Sequence, residues 1–372
     1  MKNIVNLGNV ATYINGYAFK PSDWAEDGTP IIRIQDLTGN SYQMNRFKGI
    51  VDSKYDVNSG DVLISWSASL GVYVWNRGNA VLNQHIFKVV FDKEEVDKDF
   101  FVFQIDNLLK RAANQAHGAT MRHLTKPVFD ALPFYLPDIK TQRLISSKLN
   151  LIVHLIEDHH EQLKKLDELI RSRFLEMFGM SEGIDKHLED VADICSGITK
   201  GRKVLGLELR EVPYMAVSNV KMGYIDLSTV KTIMATENEI EQYRIFPNDI
   251  LMTEGGDPDK VGRGAIIRNP PKDCIHQNHI FRVRLHKDVL LPEFFEEYLQ
   301  GNSARRYFLK AAKQTTGIAS INMKQLRALP VKIPPIKVQI QYSDFVHQVD
   351  KSKYGGTIFL RLLEDICICC NI

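Results

Sequence analysis

Leu132-Pro-Phe-Tyr-Leu-Pro-Asp-Ile-Lys-Thr-Gln142 returns later in the chain as Leu329-Pro-Val-Lys-Ile-Pro-Pro-Ile-Lys-Val-Gln339. In both places a short apolar run reaches a proline and then opens a helical pattern, and a proline is well placed just before a helix. Working outward from this pair, the two halves of the chain match in order. Leu7-Gly-Asn-Val10 pairs with Leu188-Glu-Asp-Val191, and each reaches a glycine six residues on, Gly16 and Gly197. Pro30 with IIRIQDL pairs with Pro213 with YMAVSNV, both strand-like. SGDVLIS around Asp61 pairs with PNDILMT around Asp249, an acidic turn leading into a strand. Asn83-Gln-His-Ile-Phe87 pairs with Gln277-Asn-His-Ile-Phe281, and HGATMRHL from His117 pairs with TGIASINMKQL from Thr316. The offset grows from 181 at Leu7 and Leu188 to 197 at Gln142 and Gln339, as loop insertions within a shared fold would produce. One repeat per domain is a duplication and not a solenoid.

Between the repeats the pattern changes. From Ile145, steps of four and three pass through Leu149, Ile152, Ile156, His159, Leu163, Leu166, Ile170, Arg173 and Met177, and eight of these ten positions are apolar. Glu161, Lys164, Lys165, Glu168 and Arg171 fall off this seam, and no glycine interrupts it before Gly179. This spacing predicts one long helix over 141–178 that seeks a helical partner. A plain bundle helix is the alternative. After the second repeat Tyr342, Val346 and Val349 begin the same step, Lys353 breaks it, and Gly355-Gly356 is expected to stop the helix. The organisation expected is therefore a first domain over 1–140, a coiled-coil spacer over 141–179, a second domain over 180–337, a truncated second helix over 338–354 and an atypical tail over 355–372. Each domain is expected to be α/β (α+β), with a mainly antiparallel sheet and helices at 99–114 and 292–313.

The 372 residues carry a net charge of +2 and 44% apolar side chains, an ordinary globular composition. Any nucleic-acid-binding charge must then be local. No apolar run is long enough for a membrane span and the N-terminus has no signal-peptide core, so a cytoplasmic location is expected. Five cysteines, with Cys195 and Cys274 isolated and Cys367, Cys369 and Cys370 crowded at the end, do not read as a disulfide framework.

Catalytic motifs are hard to find. Asn269-Pro-Pro-Lys272 has lysine where an adenine methyltransferase needs a stacking ring, and reads as a loop between strands. There is no Walker loop. Gly262-Arg-Gly264 reads as a tight turn, and Asp257-Pro-Asp259-Lys260 lacks the spaced acid of a nuclease. His159 on the seam reads as a register-setting polar residue, and no metal site is expected.

Two divergent domains, each ending in Leu-Pro-x-x-x-Pro-x-x-x-x-Gln and feeding a long helix, resemble the specificity subunits of type I restriction–modification systems. Thr-Gly-Ile-Ala-Ser-Ile-Asn at 316–322 and Gly-Asp-Val-Leu-Ile at 60–64 are similar to that family as well. The resemblance covers residues 1–353 and departs at the tail. It implies two target recognition domains, each reading half of a split double-stranded DNA sequence. The helices would form an antiparallel coiled coil about 55–60 Å long, spanning about 16–17 base pairs. It implies docking of two methylation subunits that bring S-adenosylmethionine, with restriction subunits using ATP and Mg2+, and no cofactor or catalytic residue in this chain. A stand-alone methyltransferase or nuclease, and a coiled-coil scaffold without DNA, remain as alternatives.

A DNA reader needs cations for phosphates and polar groups for base edges. The candidates are Tyr17, Lys20, Trp66, Arg77, His117 and Arg122 in the first domain. In the second they are Lys200, Arg202, Lys203, Lys260, Arg263 and Lys313. His85 and His279, like Gly118 and Gly317, recur in both halves and are expected to be structural, with specificity in the unshared loops.

Overall fold

The computed structural model describes residues 3–115, 125–179, 183–202, 208–256, 261–315 and 318–370. The chain divides into two compact units. One comprises 1–161 with 358–372, and the other 162–357.

Each unit is built on a four-stranded antiparallel sheet of the same order. In the first, Thr12–Asn15 pairs with Ile86–Val90, which pairs with Val62–Ser65, which pairs with Gly71–Val74. In the second, Ala192–Ser196, Ile280–Leu285, Asp249–Thr253 and Gly264–Ile267 follow that order. A second sheet accompanies each, of four short strands in the first unit and three in the second, and carries a parallel pair, Ile31 beside Val81 and Tyr214 beside Ile275. The runs Val62–Ser65 and Asp249–Thr253 are buried at every position because both of their faces are covered. Helices Lys98–Gln115 in the first unit and Pro292–Gln300 with Asn302–Ala311 in the second cover one face. Phe100, Phe101, Phe129 and Phe134 fill the first core, and Phe281, Phe294, Phe295 and Phe308 the second.

Two long helices follow the repeats, Ile139–Phe178 and Ile336–Cys370. The sequence-predicted seam of the first is partly or fully buried at Ile145, Leu149, Ile152, Ile156, Leu163, Leu166, Ile170 and Met177. The second corrects the expectation of a truncated helix, because it runs unbroken through Gly355 and Gly356. Its buried face passes from Tyr342, Val346 and Val349 through Lys353 and Gly356 to Leu360 and Leu363, keeping the four–three step. Glycine lowers helix propensity by about 1 kcal/mol, which packing along the seam overrides.

Within the second unit the helices pair antiparallel. Leu163 faces Gly356, Asp167 meets Lys353 at 2.6 Å, and Phe174 and Phe178 each lie 5.5 Å from the Tyr342 ring. Within the first unit His159 packs edge-on against Phe359 at 4.8 Å, with a ring as its neighbour at this level of the seam. Along the outer side of the second helix Tyr354, Ile358, Leu362 and Ile366 form an exposed apolar stripe at four-residue steps.

Candidate nucleic-acid interface

One edge recurs in both units, built from the same backbone bonds. In the first unit the Tyr17 amide donates to the Leu82 carbonyl (2.8 Å), Gln84 donates to Tyr17 (2.8 Å), Asn83 to Ile32 (3.1 Å) and Trp66 to His85 (3.3 Å). In the second, Ile198 donates to His276 (2.8 Å), Asn278 to Ile198 (3.0 Å), Gln277 to Met215 (3.0 Å) and Glu254 to His279 (3.0 Å). The glycines found in both repeats explain the close approach. A Cβ on Gly16 would stand 2.0 Å from the Asn83 carbonyl oxygen, and one on Gly197 would stand 1.9 Å from that of His276. Only glycine lets the strand end cross the returning chain here.

This frame gathers three of the predicted residues of the first domain. Tyr17 is exposed, its ring edge-on to Phe19 (4.9 Å) and Tyr55 (5.6 Å). Lys20 is exposed at the turn that follows. Trp66 stacks on Phe87 (5.6 Å), packs against His85 (5.0 Å) and donates Nε1–H to the Asn15 carboxamide oxygen (3.2 Å). His85 sits at φ +71° with a buried Nδ1 that has no hydrogen-bond partner among the described residues, beside Asn83, whose Oδ1 likewise has none among them.

In the second domain the frame carries different side chains. Lys200 is exposed beside Gly201, which sits at φ +78°. Glu254 occupies the place of Trp66 and pairs with His279 at 2.6 Å, both on the surface. His279 is therefore not a core histidine. His276 is one. Burial pushes it down to about 3, so it is neutral, and Nδ1–H donates to the Ile280 carbonyl at 3.0 Å. Cys195 lies 3.8 Å from its Nε2, and burial raises that thiol, so the pair is a protonated thiol beside a neutral imidazole.

The remaining predicted residues lie elsewhere. Arg77 donates to the Asp36 carbonyl (3.2 Å) and lies over the Trp75 ring (5.6 Å). Arg202 is forked onto Glu239 and donates to the Met234 carbonyl (3.0 Å). That hydrogen-bonded pair holds the Glu239 carboxyl down at about 2 and raises the guanidinium. Arg263 has a buried Nε without a partner among the described residues and follows the turn at Gly262, as the Gly-Arg-Gly spacing predicts. Lys313 begins the strand Lys313–Thr315. His117, Gly118, Arg122, Lys203, Lys260 and Gly317 lie outside the described residues. Glu254 escaped sequence reasoning, although its alignment with Trp66 through the repeat was the available signal. Asn269-Pro-Pro-Lys272 is a loop between strands Gly264–Ile267 and Ile275–His276. Among the described residues no group of His, Cys, Asp and Glu is placed to hold a metal, and no helix is long and apolar enough to cross a membrane.

Two similar domains on paired long helices, each presenting one frame with different side chains, define a duplicated reading module. The family described as "Type I restriction modification DNA specificity domain" matches residues 2–168 and again 182–355, and the chain belongs to it. The specificity subunit of the Escherichia coli type I restriction enzyme EcoBI is 22% identical over 379 residues, covering 93% of this chain and 78% of that protein. The EcoKI specificity subunit of E. coli strain K12 is 21% identical over 396 residues, covering 95% and 83%. Among solved structures, the type I restriction–modification S subunit of M. genitalium superposes with a TM-score of 0.54 at 13% identity, covering 100% of this chain and 95% of that one. A chain from a study of type I R-M complex assembly and conformational transition superposes at 0.61 with 14% identity, covering 99% and 96%. These likenesses show the same fold.

Proposed function

We propose that the two equivalent edges are the DNA-reading surfaces of a specificity subunit, each taking one half of a bipartite target. The observation that carries this is the shared frame with unshared side chains: Trp66 stands where Glu254 stands, on the same backbone bond to equivalent histidines. A scaffold that must hold two different half-sites in the same way needs this division. Lys20 and Lys200 are exposed cations two to three residues along the chain from Tyr17 and Ile198 of the frame, and in this reading they serve phosphates. Glu254 is suited to accept from the cytosine N4 amine, and Trp66 offers a flat apolar face. The chain itself does no chemistry in this reading. The base is modified by two methylation subunits carrying S-adenosylmethionine, and restriction subunits use ATP and Mg2+. The exposed stripe of Tyr354, Ile358, Leu362 and Ile366 supports docking of a helical partner there. A cytoplasmic location follows from work on cellular DNA.

The test is co-expression with the cognate methylation subunit and single-molecule sequencing for methylated adenine. A split, asymmetric motif that vanishes when this chain is omitted, and changes in one half with Glu254→Gln, supports the reading. A motif that Glu254→Gln and Trp66→Ala leave untouched removes these edges from it.

A further inference from the structure

We propose that the second unit holds a binding site for an aliphatic ammonium ligand, of diamine or polyamine type, in the cavity walled by Glu296, Glu297 and Tyr342. The cavity has a volume of about 490 Å³, within the range of small-molecule sites, and all its lining residues belong to the second unit.

Its charges do not cancel. Asp167 is held by Lys353 (2.6 Å), Asp350 by Arg268 (3.1 Å) and more loosely by Lys353 (3.7 Å), and Glu297 loosely by Arg171 (3.9 Å), while Glu293 shares Arg268 (3.4 Å) and meets His347 at 3.1 Å. Glu296 accepts the Ile266 amide at 2.8 Å and forms no salt bridge among the described residues. The wall therefore presents five carboxylates to three cations. Burial, the largest influence on it, lifts the Glu296 carboxyl to about 7, the response of an acid lacking a counter-charge.

The second observation is independent of charge. Tyr342 lines this cavity and is fully buried, yet its hydroxyl has no hydrogen-bond partner among the described residues. A buried hydroxyl left unpaired is costly and calls for an occupant. Burial raises its pKa, and the charges of Glu297, Glu296, Glu293 and Asp350 raise it further. An ammonium group has three N–H donors. It can address Glu296, Glu297 and the Tyr342 oxygen together, with its methylenes against Ile170 and Val346. A second cavity of about 370 Å³ shares Glu297, Gln300 and Arg171 and is lined by Phe174, Leu299, Phe308 and Arg305, so it has apolar surface for methylenes but two guanidinium groups where a second ammonium would sit. Because Tyr342 is on the coiled-coil seam against Phe174 and Phe178, an occupant would brace the helix pair against the sheet domain of this unit.

The experiment is calorimetric titration of spermidine into the purified full chain at fixed ionic strength, with MgCl2 as the charge control. One site per chain is expected, with a Kd between about 1 μM and about 1 mM. Glu296→Gln keeps the acceptor for Ile266 and Tyr342→Phe keeps the ring; circular dichroism checks that each folds, and each is expected to weaken binding about tenfold or more. The proposal is overturned by no saturable heat, by variants that bind like the parent, or by MgCl2 displacing spermidine at matched ionic strength, which marks charge screening alone.

Discussion

Gln142 and Gln339 make the same three hydrogen bonds, each inside its own unit. The Gln142 carboxamide donates to the Pro137 (2.8 Å) and Glu95 (3.3 Å) carbonyls and accepts from the Asp97 amide (2.9 Å). Gln339 donates to Pro334 (2.8 Å) and Val289 (3.0 Å) and accepts from Leu291 (2.9 Å). Both side chains are buried in the first turn of a long helix. The amide accepted in each case lies just before the domain helix, so one residue staples the coiled coil to the sheet domain that precedes it.

Replacing Gln339 by alanine leaves the Leu291 amide and two carbonyls buried without partners. A loss of about 1–3 kcal/mol is expected, read as a lower urea midpoint of the full chain. Gln142→Ala should act alike on the other unit. Unchanged midpoints for both would show that water replaces the staple.

The helix through the glycine pair leads to a second expectation. A Cβ on Gly355 meets nothing within 4 Å, so Gly355→Ala should stabilise the chain by about 0.5–1 kcal/mol and raise helicity by circular dichroism. Gly355→Pro should do the reverse. If alanine had no effect and proline did no harm, the helix would not cross this point in solution.

Acid sensitivity should depend on Arg202 and Glu239. The folded Glu239 carboxyl titrates at about 2, below its ordinary 4.5, so its stabilising share is present above 4.5 and lost as pH falls through 2. Glu239→Gln is expected to flatten the fall of urea midpoint across that window, with little change from pH 7 to pH 5. A parallel curve for the variant would mean that the pair is absent in solution.

Lys20→Ala and Lys200→Ala are expected to weaken binding to all DNA sequences alike and to reduce the salt slope by about 1 each. Titrations of the methylation complex over a salt series measure this. Loss of affinity for the target alone, with the slope intact, would instead make these lysines base readers.

The sequence by itself settled the duplication, because seven matched segments in order need no distances to be seen, and Gly16, Gly197, Gln142 and Gln339 were legible in it as paired positions. It also settled the first coiled-coil helix, since a four–three apolar step is a local property of the chain. Only the tertiary structure decided where the second helix ends. Local propensity says that two glycines stop it, but Gly356 sits against Leu163, where a small residue fits, and Leu360 and Leu363 pack beyond it. Nor could the sequence say which cations are free. Arg202 is held by Glu239, 37 residues away, and Arg77 by the Asp36 carbonyl, 41 residues away. Such pairings depend on how strands are brought side by side, and no periodicity records them. The Glu254–His279 pair and the cavity around Glu296 and Tyr342 have the same origin, since burial and missing partners exist only once the chain has packed.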